Sequence, residues 1–488
     1  MKRILAAVLS LMLLCGCAFT RSTPAQIRGQ LLGTVQLLEK AFPAGLPLPP
    51  ESPLTQLPAQ SWYMQEDCAL LEAPEVNSPV LALCNAGTQV TLVGYVRDYA
   101  QVQLAGQTGY IPAGQLLPVL GQTWVADCEE YIGLRSRPGG DTILARILPD
   151  EEMTLLSWTG QYAQVAYNGQ TGYVLGSYIR PGDDLAMTSL RIPITDVYTY
   201  EQMCYDISLL AAAYSETLSV DSIGTSELGR EIPVLRIGDP DAQHHVLIQG
   251  AIHAREHMTA WLLMALTDYW LLHRLSAYGD VCYHIIPMVN PDGVTVAQSG
   301  LQTELQMQIY QRDLANGYAV GFAQLYTSSW KANGKGVDLN RNFPSGWEPV
   351  SDRSSPSAML YKGPTPFSAA ETRALRDYTL AYPFGTTVSY HSNGSLIYYQ
   401  YGDRQPANDL SEAFALPLSA ITGYPLIGSY GIAGAGYKDW AIQELGIPSV
   451  TMEVGCQSSP LALREAYNIF YRNLLIFPAI GQWMEENA

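Results

Sequence analysis

The stretch 246-VLIQGAIHAREHMTAWLLMALTDYW-270 decides how the rest of the chain is read. Its opening residues, Val246 to Ile252, are apolar and interrupted by Gly250, which predicts a buried strand ending near that glycine. From Met258 the apolar residues run on too far for a strand and predict a long helix through MTAWLLMALTDYWLLHRL. Between the two stand His253, Glu256 and His257, side chains of the kind that hold zinc. Two arrangements compete. Inside a helix, H-x-x-E-H would place His253 and His257 on one face as ligands, with Glu256 as a base, which is the inverted zincin pattern. That arrangement needs His253 to be helical, yet it directly follows the strand-like run. At a strand end, His253 pairs with Glu256 at the start of the helix, and His257 turns away.

A catalytic zinc takes three protein ligands and keeps a position open, commonly with two ligands close in sequence and one distant. The distant one is supplied by 386-TTVSYHSNG-394, where His391 ends another predicted strand before a polar turn. His253, Glu256 and His391 would then meet at one edge of a sheet, where α/β proteins place their ligands. The surrounding sequence agrees with that class: 222-SIGTSELGREIPVLRIG-238 predicts a hairpin, and 283-YHIIPMVN-290 and 447-IPSVTMEVG-455 predict further strands.

An ordered set of motifs runs through this block: GREIPVLRIG, GAIHAREH, VNPDG, GVDLNRNF, KGPTPFSAAET, SYHSNG, KDWA and TMEVG. On these, residues 190–486 resemble the zinc carboxypeptidase family, an α/β fold with a mixed central sheet flanked by helices. The resemblance implies one Zn2+ per catalytic domain and assigns roles residue by residue. Glu453 in TMEVG matches the family's catalytic glutamate, which takes a proton from zinc-activated water and hands it to the leaving amine. Arg255 matches the arginine that polarises the scissile carbonyl. Asn340 and Arg341 match the pair that grips a substrate carboxylate, a task suited to the guanidinium fork. Tyr430 in GSYG matches the tyrosine that covers the substrate.

Two positions depart from the digestive members of that family. Lys331 in 328-SSWKANGKGVDLNRNF-343 stands where they carry a second arginine near the oxyanion, supplying charge without bidentate geometry. Lys438 in 436-GYKDWA-441 lies at the pocket for the side chain after the scissile bond; facing that pocket it would select acidic groups, and facing solvent it would select nothing. Both W-K-A-N and G-Y-K-D-W resemble the bacterial branch that hydrolyses γ-D-glutamyl-diaminopimelate bonds in peptidoglycan stem peptides. That implies a peptide or stem-peptide substrate held by Lys331, Arg341 and Lys438. The alternatives are a metallocarboxypeptidase trimming ordinary peptides, favoured by the Asn340–Arg341 pair, and an inactive wall-binding protein. The insertion 301-LQTELQMQIYQRDLANGYAVGFAQLYTSS-329 is placed to rim the site.

Upstream the chain repeats itself. Residues 99-YAQVQLAGQTGY-110 return as 162-YAQVAYNGQTGY-173, nine of twelve identical, and Asp67-Cys68 returns as Asp127-Cys128. Short alternating apolar runs broken by glycine and proline predict two small all-β barrels, at 61–120 and 121–183. They resemble bacterial Src-homology-3-type barrels, which implies either cell-wall peptide binding or a spacer role. Before them, 18–60 reads as a helical segment followed by a proline-rich linker.

Residues 1–17 read MKRILAAVLSLMLLCGC: a basic pair, then an apolar run too short to span a bilayer, as in a signal peptide. Leu14-Cys15-Gly16-Cys17 resembles a lipobox with Cys17 as the lipidated residue; plain secretion is the alternative. The expectation is an exported protein, lipid-anchored on the outer face of a bacterial cytoplasmic membrane. Six further cysteines lack any C-x-x-C pair, so no structural zinc cluster is expected and disulfide pairing stays open. A formal charge of −18 over 488 residues argues against nucleic acid as a partner and leaves anionic ligands to a few specific cations.

Overall fold

The computed structural model describes residues 55–183, 185–195, 197–350, 353–428 and 434–487. The expected leader, Cys17, the helical segment, most of the linker and Tyr430 lie outside the described residues.

Two antiparallel, barrel-like seven-stranded sheets come first, spanning 55–118 and 123–181. Numbering the strands of each in chain order, both follow the same spatial order, third-second-sixth-fifth-fourth-first-seventh. The first begins at Thr55, inside the stretch expected to be linker. The repeated GQTGY motif has a packing reason. A Cβ on Gly109 would lie 2.7 Å from Leu70, and one on Gly172 would lie 2.7 Å from Leu134, so the last hairpin closes on a core leucine only through glycine. All six described cysteines are free thiols, although Cys68 and Cys84 are direct cross-strand partners.

The third unit is an eight-stranded mixed sheet. Its strands are β1 (Leu218–Thr225), β2 (Glu231–Ile237), β3 (His244–Gln249), β4 (Val281–Ile286), β5 (Phe384–Ser392), β6 (Leu396–Tyr398), β7 (Leu426–Ile427) and β8 (Ser449–Val454). They lie in the order β1-β2-β4-β3-β5-β8-β6-β7. The centre, β4-β3-β5-β8, is parallel, and the flanking pairs β1-β2, β2-β4 and β8-β6 are antiparallel. Every residue of β3 and β4 is buried, as expected for parallel strands covered on both faces. The predicted hairpin, strands and helix all form.

Helices that matter below are α1 (Tyr200–Ala213), α2 (Met258–Leu272), α3 (Pro291–Ser299), α4 (Glu304–Ala315), α5 (Ala323–Ser328), α6 (Ala370–Ala381), α7 (Gln405–Thr422), α8 (Glu465–Asn473) and α9 (Ile476–Asn487). The helix α2 is apolar all round because it is buried along its whole length. Both barrels dock with equivalent tryptophans. Trp62 packs edge-on to Trp270 at the end of α2, centroids 6.5 Å apart, and Trp124 packs edge-on to Tyr471 of α8 at 5.9 Å. The first contact is fixed by Tyr95 Oη, 3.1 Å from His273 Nδ1, and the second by Arg472, which donates to Gly160 O at 2.8 Å. Among the described residues no helix is long and apolar enough to cross a membrane.

Candidate metal centre and active site

The C-terminal ends of β3, β5 and β8 lie side by side, and the site is built there. Just beyond β3 the chain leaves the sheet with His253 in extended conformation and enters a short turn, Ala254–Glu256, before α2. His253 is therefore not helical, which removes the inverted arrangement. His391 is the penultimate residue of β5, and its register partner on β8 is Glu453.

His253 Nδ1 lies 3.0 Å from Glu256 Oε1, His391 Nδ1 lies 2.9 Å from Glu256 Oε2, and the two Nδ1 atoms are 3.2 Å apart. Three ligands of two types thus bring their donor atoms together at one buried spot. His257 caps α2, buried and outside this cluster, with its Nδ1 lacking a partner; burial pushes its pKa down to about 4. Burial alone would raise the Glu256 pKa, yet the two histidines hold it well below the ordinary range. Burial likewise works against protonating His253, but Glu256 outweighs it and the pKa is raised. Such mutual stabilisation of opposite charges is what a cation would replace. The set is two neutral-capable imidazoles and one carboxylate, the donor chemistry of a catalytic zinc, and the residues fit that ion.

A residue that the sequence reading passed over supports the set. Asp338 Oδ1 lies 3.3 Å from His253 Nε2, the nitrogen opposite the one that faces Glu256. A carboxylate at that distance favours the proton on Nε2, the tautomer that leaves Nδ1 free to ligate. Burial would raise the Asp338 pKa, but His253 and Lys331 hold it well below the usual range, and Leu360 N donates to its other oxygen at 3.0 Å. Its position two residues before Asn340 in DLNRNF was the available signal. The Ser392 amide, donating to Glu256 Oε2 at 3.2 Å, was not foreseeable because it is a backbone group.

The remaining candidates surround these ligands. Glu453 is half-buried; desolvation pushes its pKa up to about 7, with Glu256 adding to the rise while His391, Lys331 and Arg255 oppose it. Lys331 Nζ stands 3.6 Å from Glu256 Oε1. Arg255 follows the turn's first residue, and its buried Nε has no hydrogen-bond partner. Asn340 Nδ2 lies 3.5 Å from His391 Nε2, and its Oδ1 accepts from Tyr437 N at 3.1 Å. Arg341 Nε is 3.7 Å from Asp338 Oδ2. Lys438 is not a bare cation: its Nζ donates to Asp439 Oδ1 at 2.7 Å and to Gln400 O at 3.0 Å, so it offers its charge as half of an ion pair.

A second group of ligating atoms, His245, Cys282 and His284, lies toward the other end of β3 and β4. There His245 Nδ1 meets His284 Nε2 at 2.9 Å, and His284 Nδ1 meets Tyr378 Oη at 2.7 Å. Burial, with His245 and Arg236 beside it, pushes the His284 pKa down to about 3. With these nitrogens hydrogen-bonded to one another and a guanidinium nearby in place of a carboxylate, this is a polar element of the core.

The chain was compared with known proteins. The zinc carboxypeptidase family model matches residues 203–473. Gamma-D-glutamyl-L-diamino acid endopeptidase 1 of Lysinibacillus sphaericus is 32% identical over 296 residues, 58% of this chain and 72% of that protein. Carboxypeptidase B of Astacus astacus is 29% identical over 277 residues, 52% of this chain and 84% of that protein. Among solved structures, murein-tripeptide amidase from Escherichia coli O157 aligns over 54% of this chain and 92% of its own, with 22% identity and a TM-score of 0.35.

Proposed function

Because this chain belongs to the zinc carboxypeptidase family, and is thereby a zinc-dependent metallopeptidase, we propose that it hydrolyses cell-wall stem peptides at γ-D-glutamyl-diaminopimelate bonds. The observation that carries this reading is the Lys438–Asp439 ion pair, next to Tyr437, whose amide donates to Asn340. The side chain of a diaminopimelate residue ends in an ammonium and a carboxylate on one carbon, and a lysine-aspartate pair offers a partner to each. A bare lysine would suit a simple acid, and an apolar pocket would suit neither. The likeness to an endopeptidase acting beside a diamino acid supports the same substrate.

We assign the roles as follows. His253, Glu256 and His391 hold one zinc, which when bound acidifies a water and polarises a carbonyl oxygen. The Arg255 guanidinium serves that carbonyl oxygen, with Lys331 adding charge as the oxyanion develops. Asn340 and Arg341 hold the carboxylate on the leaving side, and Tyr430 covers it. Glu453 takes the proton of the attacking water and delivers it to the departing amine. Its raised pKa suits both halves of that task, since the group must first accept a proton and then release it near neutral pH. The two barrels hold the wall, and a lipid on Cys17 anchors the exported chain to the outer face of the cytoplasmic membrane.

A second reading, removal of C-terminal residues from ordinary peptides, is favoured by the retained Asn340–Arg341 pair and by the likeness to carboxypeptidase B. Mass spectrometry of products separates the two. The zinc-loaded protein is given a muropeptide containing γ-D-glutamyl-diaminopimelate together with N-blocked peptides of varied C-termini. Cleavage of the γ-D-glutamyl bond is expected; loss of single C-terminal residues from the blocked peptides alone would establish the second reading.

A further inference from the structure

The insertion at 301–329 is anchored to the active-site segment and carries exposed apolar residues. Asp313 of α4 accepts from Tyr326 Oη and Ser357 Oγ, both at 2.6 Å, and the adjoining Ala358 carbonyl accepts from Lys331 N at 2.8 Å. Yet Tyr318, Val320, Phe322 and Leu325 are 48%, 73%, 85% and 60% exposed. Four large apolar side chains within eight residues, held out to water by a braced loop, form a surface with a purpose other than folding.

Three of them, Tyr318, Val320 and Leu325, line a cavity of about 320 Å³ together with Tyr326, Ser459 and Pro460. The cavity is joined to the catalytic centre. Ser459 Oγ meets Ser392 Oγ at 2.6 Å, and the Ser392 amide donates to Glu256. From Tyr437, next to Lys438, contacts pass to Asn340, then His391, then Glu256, then Ser392 and Ser459. In that series of contacts the metal ligands come between the carboxylate-gripping groups and Ser459, the order expected if the cavity meets the part of the substrate on the N-terminal side of the cut bond.

The lining limits what can sit there. The lining residues themselves include no acid, base or histidine, and the Arg353 guanidinium stacks 3.3 Å over one face of the Tyr318 ring, which disfavours a cationic group. Aromatic and aliphatic faces suit a flat apolar surface. Two hydroxyls of the lining donate to backbone, Ser328 to Leu325 O at 2.9 Å and Ser329 to Tyr326 O at 2.8 Å, which leaves their oxygens as acceptors. A pyranose ring has both an apolar face and hydroxyl donors. We propose that the insertion forms a subsite for one neutral N-acetylated amino sugar carried at the N-terminal end of the stem peptide. This rests on the cell-wall reading above and adds that the enzyme acts on sugar-linked peptide in preference to free peptide.

The test uses the full zinc-loaded chain and three substrates: free L-Ala-γ-D-Glu-diaminopimelate, the same peptide bearing N-acetylmuramic acid, and the same peptide bearing a benzoyl cap. The sugar-bearing peptide is expected to show kcat/KM about tenfold above the free one, the scale of one or two added hydrogen bonds with apolar contact. The benzoyl cap is expected to bring no such gain. Val320→Asp and Leu325→Asp, both at exposed positions of the lining, are expected to bring the ratio of sugar-bearing to free peptide toward one. Equal rates on free and sugar-bearing peptide would overturn the subsite while leaving the cell-wall reading intact. A benzoyl gain equal to the sugar's would replace the sugar with an apolar group, and a ratio that neither variant moves would place the sugar elsewhere. Failure to cut any of the three would remove the cell-wall reading and the subsite with it.

Discussion

Asp338 Oδ1 lies 3.3 Å from His253 Nε2, on the far side of the ring from the nitrogen that faces Glu256. That carboxylate favours the imidazole tautomer a metal needs, so its loss should be felt in binding more than in folding. Asp338→Asn is expected to weaken zinc affinity by about 10- to 100-fold. Competition with a chromophoric chelator reads this directly; unchanged affinity would mean that packing alone orients His253.

Zinc content tests the ligand set itself. Wild-type protein is expected to hold one zinc per chain, and His391→Ala is expected to lose it on dialysis. His245→Ala, at the hydrogen-bonded cluster near the other end of β3, is expected to keep full metal content. Full zinc in the His391 variant would mean that the assignment of ligands is wrong.

For Glu453, the sign of the pH effect follows from burial. The group accepts a proton only when ionised, and burial pushes its pKa up to about 7 in the metal-free site, so kcat/KM should rise with pH and level off. A bound cation lowers a nearby carboxyl, which places the acid limb at or below that value. Glu453→Gln is expected to retain zinc and lose turnover by about 10²- to 10⁴-fold, the range for a general base. Substantial turnover with an unaltered acid limb would show that another base serves.

Substitution at Lys438 tests selectivity. Lys438→Glu places two carboxylates together with Asp439 and removes the partner for a substrate carboxylate. The preference is expected to shift from acidic or zwitterionic residues to basic ones in a peptide-library assay. An unchanged product profile would make the pair part of the wall with no role in selection.

Acid should loosen the first barrel. Burial, with Arg274 nearby, pushes the His273 pKa down to about 3, below the ordinary 6.5, so the folded state holds the ring neutral against Tyr95 and Trp62. A depressed histidine contributes fully above the unfolded pKa, and the contribution is lost as pH falls from about 6.5 toward 3. Between pH 7.5 and 5 the loss is about 2 kcal/mol. Thermal melts across that range should show the slope, and His273→Gln should flatten it.

Much of this molecule could be read along the chain. The order strand, His253, turn, Glu256, helix was visible because Gly250 ended an apolar run and Met258 began a longer one, and the sheet forms as that pattern requires. The duplicated barrels were visible as a repeat, and their identical strand order follows from it. Those are local signals, carried by periodicity and by glycine at positions where no Cβ fits.

Contacts between distant segments were not legible. No spacing indicates that Lys438 reaches the Gln400 carbonyl, that Asp338 backs His253, or that Trp62 and Trp124 seat their barrels on α2 and α8. Residue types and strand periods determined the fold class and the ligand candidates, because those depend on neighbours along the chain. Only the tertiary structure decided which nitrogen faces the metal position, which charge is already neutralised and that Ser459 reaches Ser392 beside the ligands, because these depend on side chains brought within a few ångströms by the packing of the sheet.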